Sequence, residues 1–99
     1  MVIWSQPAKN SLKNIFDFIA RDSRFYAFKV ISEIVKKTDM LKQFPEIGRI
    51  MPEFNSPSIR EIIAFSYRII YETRDDSVII LNIIHGKRDV TPEMVLDTE

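Results

Sequence analysis

The sequence predicts an α+β domain in which a helical hairpin packs on a small, mainly antiparallel sheet. Three observations carry this. Two amphipathic helical patterns follow one another between Pro7 and Phe44 with only a two- or three-residue link. Two β-rich runs, Tyr67–Arg74 and Ser77–His85, flank Asp75-Asp76, and short acidic residues tolerate the backbone angles of a two-residue turn. The 99 residues are 45% hydrophobic, which suits one domain, 1–99, that buries roughly two-thirds of its unfolded surface.

The elements follow in order. Met1–Ser5 (MVIWS) is short, apolar and β-prone, and reads as a strand. Pro7 suits the first turn of a helix, where its missing N–H costs nothing, with Ser5 or Gln6 at the cap. Ala8, Leu12, Ile15, Phe16 and Ile19 recur at helical spacing, and Lys9, Lys13 and Asp17 point away. Asp22 or Ser23 caps a second helix, whose stripe is Ala27, Ile31, Ile34, Val35 and Leu41, flanked by Phe28 and Met40. Phe44-Pro45 ends it. The connector PEIGRIMPEFNSP, residues 45–57, holds three of the five prolines, and its Ile47, Ile50, Met51 and Phe54 suggest that it packs. Ser58–Ala64 resumes as a strand, and Phe65-Ser66 turns into the central pair. After Arg88, Thr91 is placed to cap a last helical turn. The order is β-α-α-β-β-β plus a tail.

If Asp75-Asp76 is the turn, Arg74 faces Ser77, Tyr71 faces Ile80 and Arg68 faces Ile83. One sheet face then carries Tyr67, Ile69, Tyr71, Val78, Ile80 and Ile84. The other carries Arg68, Ile70, Glu72, Ile79, Leu81, Ile83 and His85. Ser77–His85 is apolar on both faces and belongs inside the sheet. The hairpin covers one face. The second is either closed by the connector or the tail, or left open as a partner site.

Composition removes several function classes. Cys is absent and His occurs once, which excludes disulfide and thiol chemistry and leaves little for a transition metal. No cofactor or metal is expected. No run of about 18 apolar residues exists to span a membrane, and the N-terminus lacks a signal-peptide layout, so a cytoplasmic location is expected. Net charge is zero, but residues 1–44 hold eight Lys/Arg against four Asp/Glu, net +4, and residues 45–99 six against ten, net −4. The positive half reads as solvated helix faces rather than a nucleic-acid footprint.

Among candidate site residues, His85 at the end of an apolar strand reads first as structural. On the face deduced above, Arg68 is its diagonal neighbour at roughly 7–8 Å, with Glu72 further along. A base, an acid and a cation on one face can serve RNA cleavage; the plainer reading is that Arg68 and Glu72 pair. Arg49, Arg60, Lys87 and Arg88 can cluster at a sheet edge or stand as ordinary surface cations. Gly86-Lys87-Arg88 is too short for a phosphate loop, and no nucleophile motif is present.

Trp4…Pro7-Ala8…Leu12…Ile15, Asp22-Ser23…Ala27, Leu41…Pro45…Gly48-Arg49, Ile59-Arg60-Glu61, Tyr67-Arg68-Ile69-Ile70-Tyr71 and Ile83-Ile84-His85-Gly86-Lys87-Arg88-Asp89, taken in order, resemble the ParE/RelE superfamily of bacterial toxins, and more closely its ParE branch. The resemblance implies the RelE/ParE-like fold and the toxin of a type II toxin–antitoxin pair. A cognate antitoxin would hold it inactive, in a complex that can be of higher order, by folding over apolar surface. Ile70, Ile79, Leu81 and Ile83 are the expected antitoxin contacts. ParE-like members poison DNA gyrase without chemistry of their own; Arg60, Lys87 and Arg88 are then the expected target contacts. RelE-like members instead cut messenger RNA on the ribosome, for which Arg68, His85 and Arg88 would be the catalytic candidates. That branch tends to be strongly basic and to carry a C-terminal aromatic residue, whereas here no Phe, Tyr or Trp follows Tyr71. A third alternative is an inactive relative that only binds its antitoxin.

Overall fold

The computed structural model describes residues 1–86 and 90–96. Strand β1 (Val2–Trp4) leads into α1 (Gln6–Ala20) and α2 (Arg24–Asp39); β2 (Arg49–Ile50), β3 (Ile59–Ala64), β4 (Tyr67–Arg74), β5 (Ser77–His85) and the short α3 (Glu93–Leu96) follow. The strands form one five-stranded sheet in the order β1-β5-β4-β3-β2. β1 runs parallel to β5, and the other pairings are antiparallel. The two-residue β2, inside the 45–57 connector, is an element the sequence reading left out.

Both caps come from serine. The Ser5 hydroxyl accepts from the Ala8 N–H and the Ser23 hydroxyl from the Tyr26 N–H, each satisfying an otherwise orphan helix donor. Pro7 lies in the first turn of α1. The hairpin packs Val30, Ile34 and Leu41 with Ile69, Tyr71 and Ile80 of the sheet, joined by Leu12, Ile15 and Ile19. The α2 stripe differs from the expected one. Val30 and Thr38 are buried, whereas Val35, Phe28 and Met40 are exposed. Thr38 is admitted because its hydroxyl donates to the Val35 carbonyl, 2.7 Å away.

The second sheet face is closed by the chain itself. Met51 and Phe54 of the connector and Val90 and Val95 of the tail pack with Ile59, Ile70, Leu81 and Ile84. The connector therefore wraps the sheet edge. It touches the helix-side face at residues 45–48, adds β2 beside β3, and drops Met51 and Phe54 onto the opposite face.

The β4–β5 register corrects the expected one. Arg74 opposite Ser77 and Tyr71 opposite Ile80 are found, but a bulge between Ile70 and Tyr71 leaves Leu81 extra, so Arg68 faces Ile84 and Tyr67 faces His85. One inserted residue moves every later side chain to the other face. Ile83 joins the helix-side core and Ile84 the opposite one, the reverse of expectation. The bulge also frees Asn82. Its Oδ1 accepts from the Ser11 hydroxyl at 2.6 Å, and its Nδ2 donates to the Met94 carbonyl at 3.1 Å, tying α1 to α3 beyond the end of β1.

Candidate functional site

The densest polar constellation lies on the connector side of β3. β3 is IREIIA, with Ile59, Glu61 and Ile63 on the face away from the helices. A carboxylate in that row needs a cationic partner, since an unpaired buried charge is costly. Glu61 has two. Arg49, its neighbour across β2–β3, donates Nε to Oε2 at 3.0 Å and also brings Nη2 against that oxygen. Arg68 of β4 donates Nε to Oε1 at 2.5 Å. The Glu61 side chain is only 3% exposed and that of Arg68 14%, whereas Arg49 is 61% exposed. Glu53 adds a longer contact to Arg68 at 3.8 Å.

Burial pushes the Glu61 carboxyl up, but the hydrogen bonds and charges of Arg68 and Arg49 outweigh it and hold the group below its ordinary value. The Glu61 hydrogen bond raises Arg68 in return, against the opposing effect of burial. Glu61 was not singled out as a site residue from sequence. The signal was present: a lone acid at an inward position of an apolar strand.

A second set of bonds fixes the connector on the helix side. The fully buried Tyr71 donates its hydroxyl to the Pro45 carbonyl at 2.8 Å and accepts from the Gly48 N–H at 2.9 Å. Gly48 is required by close approach. A Cβ there would lie 2.6 Å from the Tyr71 hydroxyl and 2.7 Å from the Glu61 carbonyl oxygen. The Arg60 guanidinium donates to the Gly48 and Glu46 carbonyls. Burial raises the Tyr71 pKa, so its hydroxyl stays protonated and keeps donating.

Among the described residues, the predicted catalytic residues Arg68 and His85 do not converge. Arg68 pairs with Glu61, not with Glu72, which pairs with Arg74 at 2.6 Å. His85 lies on the helix side, with its ring edge-on to Tyr67 at 5.5 Å, in a shallow recess shared with Ser11, Asn14 and Ile15. Arg68 and His85 therefore occupy opposite sheet faces, because of the bulge at Leu81. Arg60 is engaged with connector carbonyls. Lys87 and Arg88 lie outside the described residues. Of the expected antitoxin contacts, Ile70, Leu81 and Ile83 are buried in the isolated chain, Ile79 is partly buried, and Ile83 faces the helices. Among the described residues no group of three His, Cys, Asp or Glu is arranged to hold a metal, and no helix is long and apolar enough to cross a membrane.

Comparison with known proteins places this arrangement in a class, the toxins of type II toxin–antitoxin systems. Within it, the family described as "ParE toxin of type II toxin-antitoxin system, parDE" matches residues 2–90, and the chain belongs to that family. A solved structure titled "Chromosomal ParDE TA system from P. aeruginosa" is similar at 20% identity and a TM-score of 0.73, covering 87% of this chain and 95% of that one; that likeness concerns the fold. No curated protein matches.

Proposed function

We propose that this ParE-type toxin inhibits bacterial DNA gyrase by binding, without chemistry of its own, and that a cognate antitoxin silences it. The observation that carries the reading is the engagement of Arg68. Its guanidinium is held by a buried carboxylate and backed by Glu53, and His85 stands on the opposite face. A cation neutralised in this way is a poor partner for a scissile phosphate, and the imidazole is not placed to share a substrate with it. Lys87 and Arg88 remain the proposed target contacts; Arg60 is less suited, because its Nη1 donates to two connector carbonyls and its Nε is buried.

For the antitoxin, the outer edge of β3 replaces the closed second face. Beyond β2 this edge is flanked by exposed Met40, Ile47, Ile50 and Ile63, and the Lys37 ammonium donates to the Ile63 carbonyl at 3.0 Å. An edge strand guarded by lysine beside apolar surface suits an added peptide strand.

The test is DNA supercoiling by purified gyrase with the toxin titrated in, with and without antitoxin. The expected result is dose-dependent loss of supercoiling, relieved by antitoxin and weakened by Lys87→Ala/Arg88→Ala. Unaffected gyrase together with toxin-dependent cleavage of ribosome-bound messenger RNA would refute the proposal. Deletion of residues 87–99 is unsuitable as a probe, because Val90 and Val95 fill the second core.

A further inference from the structure

β1 lines β5 only from Val78 to Ile80. Past that point side chains meet the outer edge of β5. The Ser5 hydroxyl donates to the Leu81 carbonyl at 2.9 Å, and the Asn82 amide takes over from there. Its Oδ1 accepts from the Ile83 N–H at 2.8 Å and from the Ser11 hydroxyl at 2.6 Å, and its Nδ2 donates to the Met94 carbonyl at 3.1 Å. Two donors at one end and an acceptor at the other leave the amide a single orientation. Asn82 is therefore committed to its own strand, to α1 and to α3.

α3 depends on this bond. Its four residues are too few to hold a helix alone, and the last carbonyls of a helix lack partners within it. Asn82 supplies the donor for one of them, that of Met94. The apolar part of the docking is the buried Val90 and Val95 in the second core. The chain is also tied at the end of β5. The Gly86 N–H bonds to the Ser66 carbonyl at 2.6 Å, and a Cβ on Gly86 would lie 3.0 Å from that oxygen, tighter than an ordinary contact. Gly86 and Val90 are thus both anchored, and Lys87, Arg88 and Asp89 are the residues between them in the chain.

We infer that Asn82 is a positioning residue for the target contacts: by docking α3 against β5 it fixes the downstream end of the Lys87-Arg88 segment, as Gly86 fixes the upstream end. The inference rests on the reading above in which Lys87 and Arg88 meet the target, and it adds what presents them. A short segment anchored at both ends loses less conformational freedom on binding than one anchored at a single end. The expected contribution of Asn82 is therefore to affinity for the target, and it is separable from the stability of the domain.

The test uses the full-length chain and purified gyrase at a temperature well below every melting midpoint. Asn82→Asp keeps the acceptor for Ile83 and Ser11 but turns an oxygen toward the Met94 carbonyl. Val95→Ala loosens the same docking from its apolar side and decides the matter if Asn82→Asp folds poorly. Each should raise the concentration for half-inhibition about tenfold, with faster amide exchange over residues 90–96 and antitoxin binding retained. Tyr71→Phe controls for lost stability alone and should stay within about twofold of the wild type. In a Lys87→Ala/Arg88→Ala background, neither Asn82→Asp nor Val95→Ala should weaken inhibition further, because a positioning residue acts only through the groups it positions. Undiminished inhibition by both tail variants would overturn the inference. So would an equal further loss in the Lys87→Ala/Arg88→Ala background, or a loss in Tyr71→Phe that matches theirs. In each of these cases the dependence of inhibition on Lys87 and Arg88 leaves the target reading standing. Wild-type protein without effect on gyrase, or full inhibition by Lys87→Ala/Arg88→Ala, would refute that reading and this inference with it.

Discussion

Replacing Glu61 by glutamine tests whether Arg68 is a structural cation. In Glu61→Gln the side-chain volume stays, but one of the two acceptor oxygens becomes an amide donor facing an arginine. Breaking a buried ion pair by altering one partner costs about 3–5 kcal/mol. Two features reduce this here. Arg49 is 61% exposed, so water recovers most of its share, and Arg68 keeps Glu53 at 3.8 Å. The expected loss is about 2–3 kcal/mol, which for a domain of this size lowers the melting midpoint by roughly 10–20 °C. The pH dependence gives an independent check. Because the folded Glu61 pKa lies below its ordinary value of 4.5, its stabilisation is complete above that value and is lost as pH falls through the folded pKa. Wild-type stability should therefore fall more steeply on acidification below about pH 5 than that of the variant. Urea titrations at several pH values measure both. A loss under about 1 kcal/mol, or parallel acid profiles, would refute the assignment of Glu61 as the ionised anchor of Arg68.

Three further substitutions probe how the connector and tail are held. Tyr71→Phe leaves the Pro45 carbonyl and Gly48 N–H without their buried partner and should cost about 2 kcal/mol in a urea midpoint assay. Gly48→Ala forces a Cβ against the Tyr71 hydroxyl and the Glu61 backbone, and a loss of about 1–3 kcal/mol by thermal melt is expected. Met51→Ala removes a fully buried side chain from the second core and should cost about 2–5 kcal/mol; amide hydrogen exchange should show faster opening of β3 and the tail.

Much of the fold was legible because its signals are local. The α1 stripe, the cap regions, the acidic two-residue turn and the interior position of Ser77–His85 follow from periodicity and turn chemistry, and each is found; the α2 stripe is found in part, with Val30 and Thr38 buried in place of Val35. Tyr71 opposite Ile80 follows from counting outward from Asp75-Asp76. The count fails at the very next pair, where Ile70 meets Asn82, because a bulge is a two-strand property without a clear mark in either strand. Asn82 was the available sign, a polar residue in an otherwise apolar run. The error is small in chain position and large in consequence: it moves His85 across the sheet and dissolves the apparent trio of Arg68, Glu72 and His85.

The sequence alone determined the α+β order, the two-helix hairpin and the absence of thiol chemistry, since these depend on residue type and spacing. Only the tertiary structure decided what closes the second face, which carboxylate owns Arg68, and that Arg60 and Tyr71 hold the connector. Those outcomes depend on which distant segments meet, with Met51 and Phe54 meeting Val90 and Val95, and Glu61 lying between Arg49 and Arg68. A buried charge or an apolar face only demands a partner; the path of the connector around the sheet edge selects which one it receives.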